Sequence, residues 1–360
     1  PENAEAVLSA EQADLVSIVR GQIADPHLSN KAREGRADDI RTCLSCNQMC
    51  WGRRSRDYWI SCLVNPSAGR EFEWGGDRFE KTTTPKQILV VGGGPAGLEA
   101  ARVSAERGHI VTLAEATDRL GGQFRLAGLQ PRRGQILDLL DWYTRQLSRL
   151  DVEVRLNTFL EKEDIKETGN DFTILATGSY PPNSGFQKAI PHVEKLPGIE
   201  LGGVFSAEDV MARRARLGKR VLLLDEGGNW KGCGTAWKLA EDGHEVTLIT
   251  PDPLVGKELQ RTAADYPLRQ RLAKLGVRFI LESAITCWNH EGAEVFCFLD
   301  GTKQFVGADS LVFSTTNIAE DSLMQHLQDS GMHVLNIGDS AGPRQAPFVI
   351  YEGRLTALNI

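Results

Sequence analysis

The sequence predicts an α/β protein in which two βαβ units follow a cysteine-rich segment. Two observations carry this prediction. A strand, a glycine-rich turn, a helix and a second strand follow one another from Lys86, and the same order returns after residue 204. Four of the seven cysteines lie close together, between Cys43 and Cys62.

Composition and charge limit the possible classes of protein. A chain of 360 residues with 41% hydrophobic and 25% charged residues is long enough for two globular domains. The net charge of -7 argues against nucleic-acid binding, which requires a basic surface. No apolar run approaches the roughly 20 residues of a membrane span, and no secretory signal is present. An odd number of cysteines without such a signal argues against a disulfide framework and predicts a cytoplasmic protein.

The first 40 residues predict the end of a larger domain. The stretch "ADLVSIVRG" has the composition of a single strand that ends at Arg20, and helical sequence follows it. One strand cannot bury its own faces, so we expect that most of its domain precedes this sequence. Residues 41–82 form an irregular connector that is rich in cysteine and arginine.

The first βαβ unit carries a dinucleotide-binding pattern. The strand "KQILVV" leads into Gly92, Gly94 and Gly97, which form G-x-G-x-x-G at the start of the helix "LEAARVSAERG". Gly92 permits the tight turn, Gly94 lets the backbone approach a pyrophosphate, and Gly97 lets the helix pack against the strand. Glu115 ends the next strand, "HIVTLAE", where a carboxylate can bind a ribose hydroxyl.

Later stretches extend this pattern. The segment "RRGQILDLLDWYTRQLSRLD" predicts an amphipathic helix, and "DFTILATG" predicts a strand. Three polar or glycine-rich stretches suggest contacts with a flavin nucleotide, and their candidate residues are Arg119, Gly122, Gln123, Thr177, Gly178, Gly338 and Asp339. An alternative for Asp339 is a helix cap.

The second unit repeats the elements but not the glycine loop. "KRVLLLD", "GCGTAWKLAEDG" and "HEVTLIT" predict strand, helix and strand. Asp225 and Glu226 stand where a nicotinamide-binding loop has its first glycines, and two carboxylates there would repel a pyrophosphate. We therefore expect the fold without NAD(P)H binding, because a fold alone does not deliver a function.

The clustered cysteines predict a metal centre. Cys43, Cys46, Cys50 and Cys62 have the spacing C-x2-C-x3-C-x11-C. Three close cysteines and a distant fourth favour a [4Fe-4S] cluster, although four thiolates can also hold structural zinc. The arginines of "WGRRSRDYW", between the third and fourth cysteine, could balance the charge of a cluster or face a partner.

The order of these motifs resembles a known family. "CLSCNQMC…SCLVNPSAGRE" followed by "LVVGGGPAGLEAARVSAERGH" is similar to the iron–sulfur flavoenzymes of the trimethylamine dehydrogenase and 2,4-dienoyl-CoA reductase group. The resemblance covers nearly the whole chain. It implies an FMN-binding (β/α)8 barrel whose end is residues 1–40, with Arg20 next to FMN. It also implies a [4Fe-4S] cluster on the four cysteines and FAD or ADP in the first βαβ unit.

The resemblance implies two Rossmann-like domains of the disulfide-reductase type. Their predicted bounds are 83–203 with 331–360 for the FAD- or ADP-binding domain, and 204–330 for the second, degenerate domain. The iron–sulfur segment takes residues 41–82. A complete enzyme of this kind also binds a small-molecule substrate and could form a homo-oligomer. A fragment without the barrel should be inactive alone.

The family has two branches with different electron flow. In the reductase branch NADPH supplies electrons for an enoyl substrate, whereas in the amine branch an amine is oxidised and an electron-transferring flavoprotein is the acceptor. The Asp225–Glu226 turn and the stretch "DPLVGKELQRTAADYPLRQRLAKLGVRFI" resemble the amine branch, and the cysteine spacing resembles the reductase branch. We predict an amine dehydrogenase or N-demethylase. The alternatives are an NAD(P)H-dependent enoate reductase and a non-catalytic ADP-binding module with zinc.

Overall fold

The structure is a computed structural model that describes residues 1–76 and 78–360. Short parallel strands dominate its sheets. In chain order the strands are β1 (Gln87–Val91), β2 (Ile110–Ala114), β3 (Glu153–Arg155), β4 (Phe172–Leu175), β5 (Ser179–Tyr180), β6 (Val204–Ser206), β7 (Arg220–Asp225), β8 (Glu245–Ile249), β9 (Arg278–Ile280), β10 (Ser283–Asn289), β11 (Gly292–Cys297), β12 (Lys303–Gly307), β13 (Ser310–Ser314), β14 (Ile318–Ala319) and β15 (Val334–Asn336).

Helices alternate with these strands over most of the chain. In order they are α1 (Glu2–Ser9), α2 (Val19–Ala24), α3 (Leu28–Arg33), α4 (Trp51–Arg54), α5 (Glu71–Trp74), α6 (Pro95–Glu106), α7 (Gly122–Gly128), α8 (Gln135–Arg149), α9 (Lys162–Glu167), α10 (Ala207–Met211), α11 (Trp230–Glu241), α12 (Asp265–Lys274), α13 (Ser322–Gln328) and α14 (Ala346–Leu358). The predicted α/β class is confirmed. None of these helices is long and apolar enough to cross a bilayer.

The chain divides into two compact units. Unit 1 contains residues 1–125, 135–178 and 320–360, and unit 2 contains residues 126–134 and 179–319. The chain therefore changes unit at 125/126, 134/135, 178/179 and 319/320. The predicted domain boundaries lay at 203/204 and 330/331.

Unit 1 is built on a five-stranded parallel sheet in the order β15-β4-β1-β2-β3. Four of the five residues of β1 are buried, as expected for the continuous apolar run of a strand that helices cover on both faces. The carboxyl ends of β15, β4, β1 and β2 are neighbours along one edge. This edge is where ligands bind in open parallel sheets.

Helices α6, α8 and α14 pack together in unit 1 around a buried carboxylate. Glu99 accepts hydrogen bonds from Arg102, Arg354 and the Tyr143 hydroxyl, which lies 3.0 Å away. Burial alone would raise the pKa of Glu99, but the charges of Arg102 and Arg354 lower it below its usual value. The apolar face predicted for α8 is confirmed, because Ile136, Leu139, Leu140 and Tyr143 are all buried.

The strand predicted before Arg20 does not form with any described residue of this chain. Residues 15–18 have no regular structure, and α2 begins at Val19. A strand needs a partner for its backbone N–H and C=O groups, and no described residue pairs with this stretch. Its apolar side chains are instead exposed, with Leu15 at 89% and Val19 at 66%.

Unit 2 contains a second five-stranded parallel sheet, in the order β6-β13-β7-β8-β9. An antiparallel meander, β10-β11-β12, follows in the chain after β9. The strand order reverses between β7 and β13, because the chain continues from β7 to β8 on one side and β13 lies on the other. In such folds this switch point is where a crevice opens at the carboxyl edge.

Candidate nucleotide and cysteine sites

The glycine turn of unit 1 depends on two close backbone approaches. Gly92 has a φ of +109°, and a Cβ there would lie 2.3 Å from the carbonyl oxygen of Ala176. A Cβ on Gly97 would lie 2.0 Å from the carbonyl oxygen of Gly92. Both distances are far below van der Waals contact, so only glycine fits at either position. The roles predicted for these two glycines agree with this geometry.

Gly94 differs from the other two glycines because it faces open space. It is the residue before α6, with φ -72° and ψ 177°, and no atom lies within 4 Å of the position of a Cβ. Its backbone conformation is one that any residue can adopt. The space beside Gly94 lies at the amino end of a 12-residue helix, where free N–H groups favour a phosphate.

Glu115 follows β2, the strand next to β1, and hydrogen-bonds to the glycine turn. Its Oε2 accepts a hydrogen bond from the Gly93 N–H at 2.8 Å. Its Oε1 accepts from the Thr117 N–H at 2.8 Å and from the Thr117 hydroxyl at 2.7 Å. The carboxylate therefore holds the glycine turn in place, at the position where a ribose would bind.

Replacing Glu115 with alanine is expected to weaken ADP binding by about 10- to 100-fold. The ribose would lose its hydrogen-bond acceptor, and the glycine turn would lose the hydrogen bond from Gly93 to the carboxylate. The free energy of unfolding should fall by about 1–3 kcal/mol. Isothermal titration with ADP and denaturant unfolding measure the two effects. Glu115→Gln, which keeps one acceptor oxygen, is the control and should lose less. Wild-type ADP affinity in the alanine variant would contradict this role.

A second glycine pair lies against the first turn. The Gly121 N–H donates to the Gly93 carbonyl at 2.8 Å, and a Cβ on Gly122 would lie 3.6 Å from the Gly94 Cα. Gln123, in the first turn of α7, is half-buried. Arg119 is exposed and pairs with Asp118 at 3.3 Å. The structure thus brings Gly122 to the candidate phosphate position, whereas the Arg119 side chain faces solvent.

The remaining candidates follow the two other strands of the same sheet edge. Thr177 and Gly178 follow β4, and the Thr177 hydroxyl donates to the Glu320 carbonyl at 2.6 Å. Gly338 and Asp339 follow β15. Gly338 has a φ of +72°, and a Cβ there would lie 2.8 Å from the Ala96 Cβ in the first turn of α6. Four stretches that are far apart in sequence therefore share one edge.

Sequence reasoning missed two side chains at this edge. The Gly338 N–H donates to the Glu352 carboxylate at 2.6 Å, and Arg344 donates to the Gly338 carbonyl at 3.0 Å. Arg344 also pairs with Glu352 at 2.5 Å. The Asp339 carboxylate accepts a hydrogen bond from the Arg344 N–H at 3.1 Å, so it fastens the loop before α14. No motif in the sequence marks Arg344 or Glu352.

The four clustered cysteines line one cavity in unit 1. The cavity has a volume of about 350 Å³, including the part open to solvent. Its wall is otherwise mainly apolar, and the residues that form it are Arg20, Ile23, Cys43, Leu44, Cys46, Asn47, Met49, Cys50, Cys62, Leu63 and Val64. The predicted convergence of the four thiols on one space agrees with this geometry.

Backbone amides point at the cysteine sulfurs. The Ser45 N–H donates to the Cys43 Sγ at 3.4 Å, and the Gln48 N–H donates to the Cys46 sulfur. Two further N–H groups, from Val64 and Asn65, donate to the Cys62 sulfur. The loop bends sharply between these sulfurs because Ser45 and Asn47 have positive φ values of 52° and 55°. Hydrogen bonds to the sulfur atoms are among the factors that set the reduction potential of an iron–sulfur cluster.

Four thiols can hold either a [4Fe-4S] cluster or a single zinc ion. A zinc ion with sulfurs at about 2.3 Å would draw the four thiols to within about 4 Å of one another. Among the described residues, no group of three or more His, Cys, Asp or Glu side chains is arranged to hold one metal ion. Burial raises the pKa of Cys46 to about 11 and also raises the pKa of Cys62. A bound cluster would take the place of the protons on these thiols.

The arginines between the third and fourth cysteine lie over exposed aromatic rings. Arg53 lies 4.7 Å from the Trp59 ring centre, and Arg54 lies 5.5 Å from that of Trp51. The cavity wall contains Arg20, which donates to Asn47 at 2.9 Å, but neither of these two arginines. Arg20 therefore lies at the cysteine cavity; its predicted contact with FMN remains a prediction.

The turn after β7 in unit 2 holds a buried carboxylate. Asp225 is 1% exposed and accepts hydrogen bonds from the Gly227 and Gly228 N–H groups at 3.1 and 3.2 Å. The Cys233 thiol donates to its other oxygen at 3.4 Å. Burial raises the pKa of Asp225 from 3.8 to about 6, although these hydrogen bonds oppose the increase.

This pKa predicts a pH-dependent contribution to stability. Because the folded protein binds the Asp225 proton more tightly than the unfolded chain, the contribution is fully present below pH 3.8 and is lost as the pH rises through 6. Relative to Asp225→Asn, the wild-type protein should lose about 1.4 kcal/mol of unfolding free energy between about pH 5 and 7.5. Urea unfolding of both proteins across this range measures the difference. A difference that stays constant would contradict the raised pKa.

The comparisons with known proteins agree with the fold and the first glycine turn. The family described as FAD dependent oxidoreductase matches residues 87–156, which run from β1 to the end of β3. The matched residues include the turn that holds Gly92, Gly94 and Gly97. The FAD-type expectation for this region is thereby supported.

Three known proteins are similar to this chain over nearly its whole length. It is 35% identical to an NADH oxidase of Thermoanaerobacter brockii over 94% of this chain and 51% of the relative. It is 34% identical to a cinnamate reductase of Clostridium sporogenes over 99% of this chain and 51% of the relative. The solved histamine dehydrogenase of Rhizobium sp. 4-9 superposes with a TM-score of 0.93 at 30% identity, over 100% of this chain and 54% of that one.

These matches confirm the resemblance that the motifs predicted. The chain is related to the flavin-dependent oxidoreductases that include amine dehydrogenases and enoate reductases. It spans about half the length of the curated relatives it matches.

Proposed function

We propose that this chain is the C-terminal electron-transfer part of an iron–sulfur flavoprotein oxidoreductase of the amine dehydrogenase or N-demethylase type. An electron-transferring flavoprotein is the proposed acceptor. In this proposal the chemistry on a small-molecule amine takes place in an FMN-binding domain outside this sequence.

The observation that carries the proposal is the cavity shared by four cysteine sulfurs. Its apolar wall, its size and the amides that point at Cys43, Cys46 and Cys62 support a [4Fe-4S] cluster. When bound, such a cluster accepts and releases single electrons. The cavity and the glycine turn belong to the same compact unit.

The residues of the glycine turn support an adenine nucleotide in unit 1, as FAD or ADP. Gly94 and Gly122 leave room for a pyrophosphate, and Glu115 lies where a ribose would bind. Thr177 and Asp339 lie along the same edge of the sheet and are proposed to contact the rest of a flavin nucleotide. The proposed role of these residues is binding and orientation.

An NAD(P)H-dependent enoate reductase is the second candidate. The cysteine spacing and the similarity to a cinnamate reductase favour it. Against it stands the turn after β7, where Asp225 accepts the N–H groups of Gly227 and Gly228. In a nucleotide-binding turn these two amides would face a pyrophosphate, and here Asp225 already occupies them. We therefore favour the amine branch.

Anaerobic reduction of a protein that contains both this chain and the proposed FMN-binding domain separates the candidates. The protein is mixed with secondary and tertiary methylamines, or with NADPH and NADH, and its visible spectrum is followed. The proposal expects rapid bleaching by an amine and none by the reduced nicotinamides. Rapid bleaching by NADPH with no response to amines would favour the reductase. A colourless protein with zinc and ADP would favour the non-catalytic module.

A further inference from the structure

The turn after β7 can be aligned with the glycine turn of unit 1 by counting from the lysine before each strand. Gly92 is the sixth residue after Lys86, and Asp225 is the sixth residue after Lys219. A carboxylate side chain therefore starts where the nucleotide-binding turn of unit 1 has its first glycine. Both positions lie at the end of the central strand of a five-stranded parallel sheet.

The Asp225 carboxylate lies at the amino end of α11. Besides accepting the Gly227 and Gly228 N–H groups, it packs against the first turn of this 12-residue helix. A Cβ on Gly232 would lie 2.4 Å from Asp225 Oδ1 and 2.3 Å from its Cγ, so the absent side chain of Gly232 makes room for the carboxylate. The amino end of the helix and the two amides favour an anion at this position, and burial opposes it.

A second side chain bridges the switch point of the sheet. Lys231, in the first turn of α11, donates to the Thr315 carbonyl at 3.1 Å and to the Asn317 side chain at 2.7 Å. Its ammonium also pairs with the buried Glu208 at 2.8 Å. Because α11 follows β7 and Thr315 follows β13, Lys231 spans the gap between the two strands where a dinucleotide would enter.

We infer that Asp225 is a specificity-determining residue: its carboxylate is an internal anion that fills the phosphate position of unit 2, and Lys231 closes the crevice beside it. This inference deepens the proposed function, because it gives a physical cause for the absence of NAD(P)H input. It also corrects the interpretation of the turn as a repulsive pair of carboxylates. Glu226 accepts from the Ala189 N–H at 3.2 Å, outside the turn, and only Asp225 takes the amides.

Removing the carboxylate should create a site for a small anion of the same shape. Asp225→Ala deletes the carboxylate group alone, so formate can replace it. We expect the melting temperature of this variant to fall by about 5 °C in chloride and to recover by about half when formate replaces chloride at equal ionic strength. Wild-type protein and Asp225→Asn should melt at the same temperature in both salts, because their turns are already filled.

Asp300→Ala is the matched control. The Asp300 carboxylate also accepts an N–H and a hydroxyl in a turn, both from Thr302, but it is exposed. Water can replace it, so formate should restore nothing. Equal responses of Asp225→Ala and wild type to formate would overturn the inference, and so would a formate response in Asp300→Ala equal to that of Asp225→Ala.

A measurement on the wild-type protein covers the case in which Asp225→Ala does not fold. In protein labelled with ¹⁵N-glycine, the amide signals of Gly227 and Gly228 should shift together as Asp225 titrates and should not move when pyrophosphate or NADPH is added. Movement of these signals with pyrophosphate would overturn the inference. Neither experiment involves an amine or an electron acceptor, so failure of the proposed function would leave their outcome unchanged.

Discussion

Replacing Cys46 with serine is expected to abolish the iron–sulfur centre. A [4Fe-4S] cluster needs one thiolate for each corner. Cys46 lines the cavity, and burial raises the pKa of its thiol to about 11. The purified variant should lose most of the roughly four iron atoms expected for each chain, together with the broad visible absorption of the cluster. Iron and acid-labile sulfide analysis measures this loss.

Cys297→Ser is the matched control for this experiment. Cys297 is half-buried at the end of β11 and does not belong to the cavity wall, so its replacement should leave the iron content unchanged. An equal loss of iron in both variants would point to general instability. Iron in Cys46→Ser at the wild-type level would remove this cysteine from the ligand set. Zinc in place of iron in the wild-type protein would support the structural-zinc alternative.

Gly94→Ala is expected to separate nucleotide binding from folding. The backbone of Gly94 has φ -72°, and a Cβ there meets no protein atom within 4 Å, so the nucleotide-free protein should keep its stability to within about 1 kcal/mol. The same Cβ would enter the space of a pyrophosphate. ADP affinity should therefore fall by roughly 100-fold, which isothermal titration can measure.

Gly97→Ala provides the contrasting variant. Its Cβ would lie 2.0 Å from the Gly92 carbonyl oxygen, so the helix and the strand must move apart. We expect the free energy of unfolding to fall by about 3 kcal/mol, with ADP binding lost as well. If Gly94→Ala bound ADP like the wild-type protein, the nucleotide could not approach the backbone at this turn.

The sequence was sufficient for the local elements of both units. Strands such as β1 and β7 are continuous apolar runs, and α8 has a 3.6-residue apolar period, so their patterns depend on neighbours along the chain. The stretch before Arg20 was predicted as a strand by the same reasoning, but it pairs with no described residue. A sequence with the composition of a strand forms a strand only where another strand supplies hydrogen-bonding partners.

The sequence by itself determined the nucleotide turn and the cysteine set, because both are written as short spacings: G-x-G-x-x-G after a strand and C-x2-C-x3-C-x11-C. The tertiary structure alone decided which distant groups join them. Glu352 reaches Gly338 from the following helix, and Lys231 reaches Thr315 across the sheet of unit 2. The tertiary structure also decided that the Asp225 carboxylate accepts the amides of its own turn. Whether a carboxylate repels a phosphate or takes its place depends on where the carboxylate oxygens point. The backbone geometry determines that direction, and the identity of the residue does not.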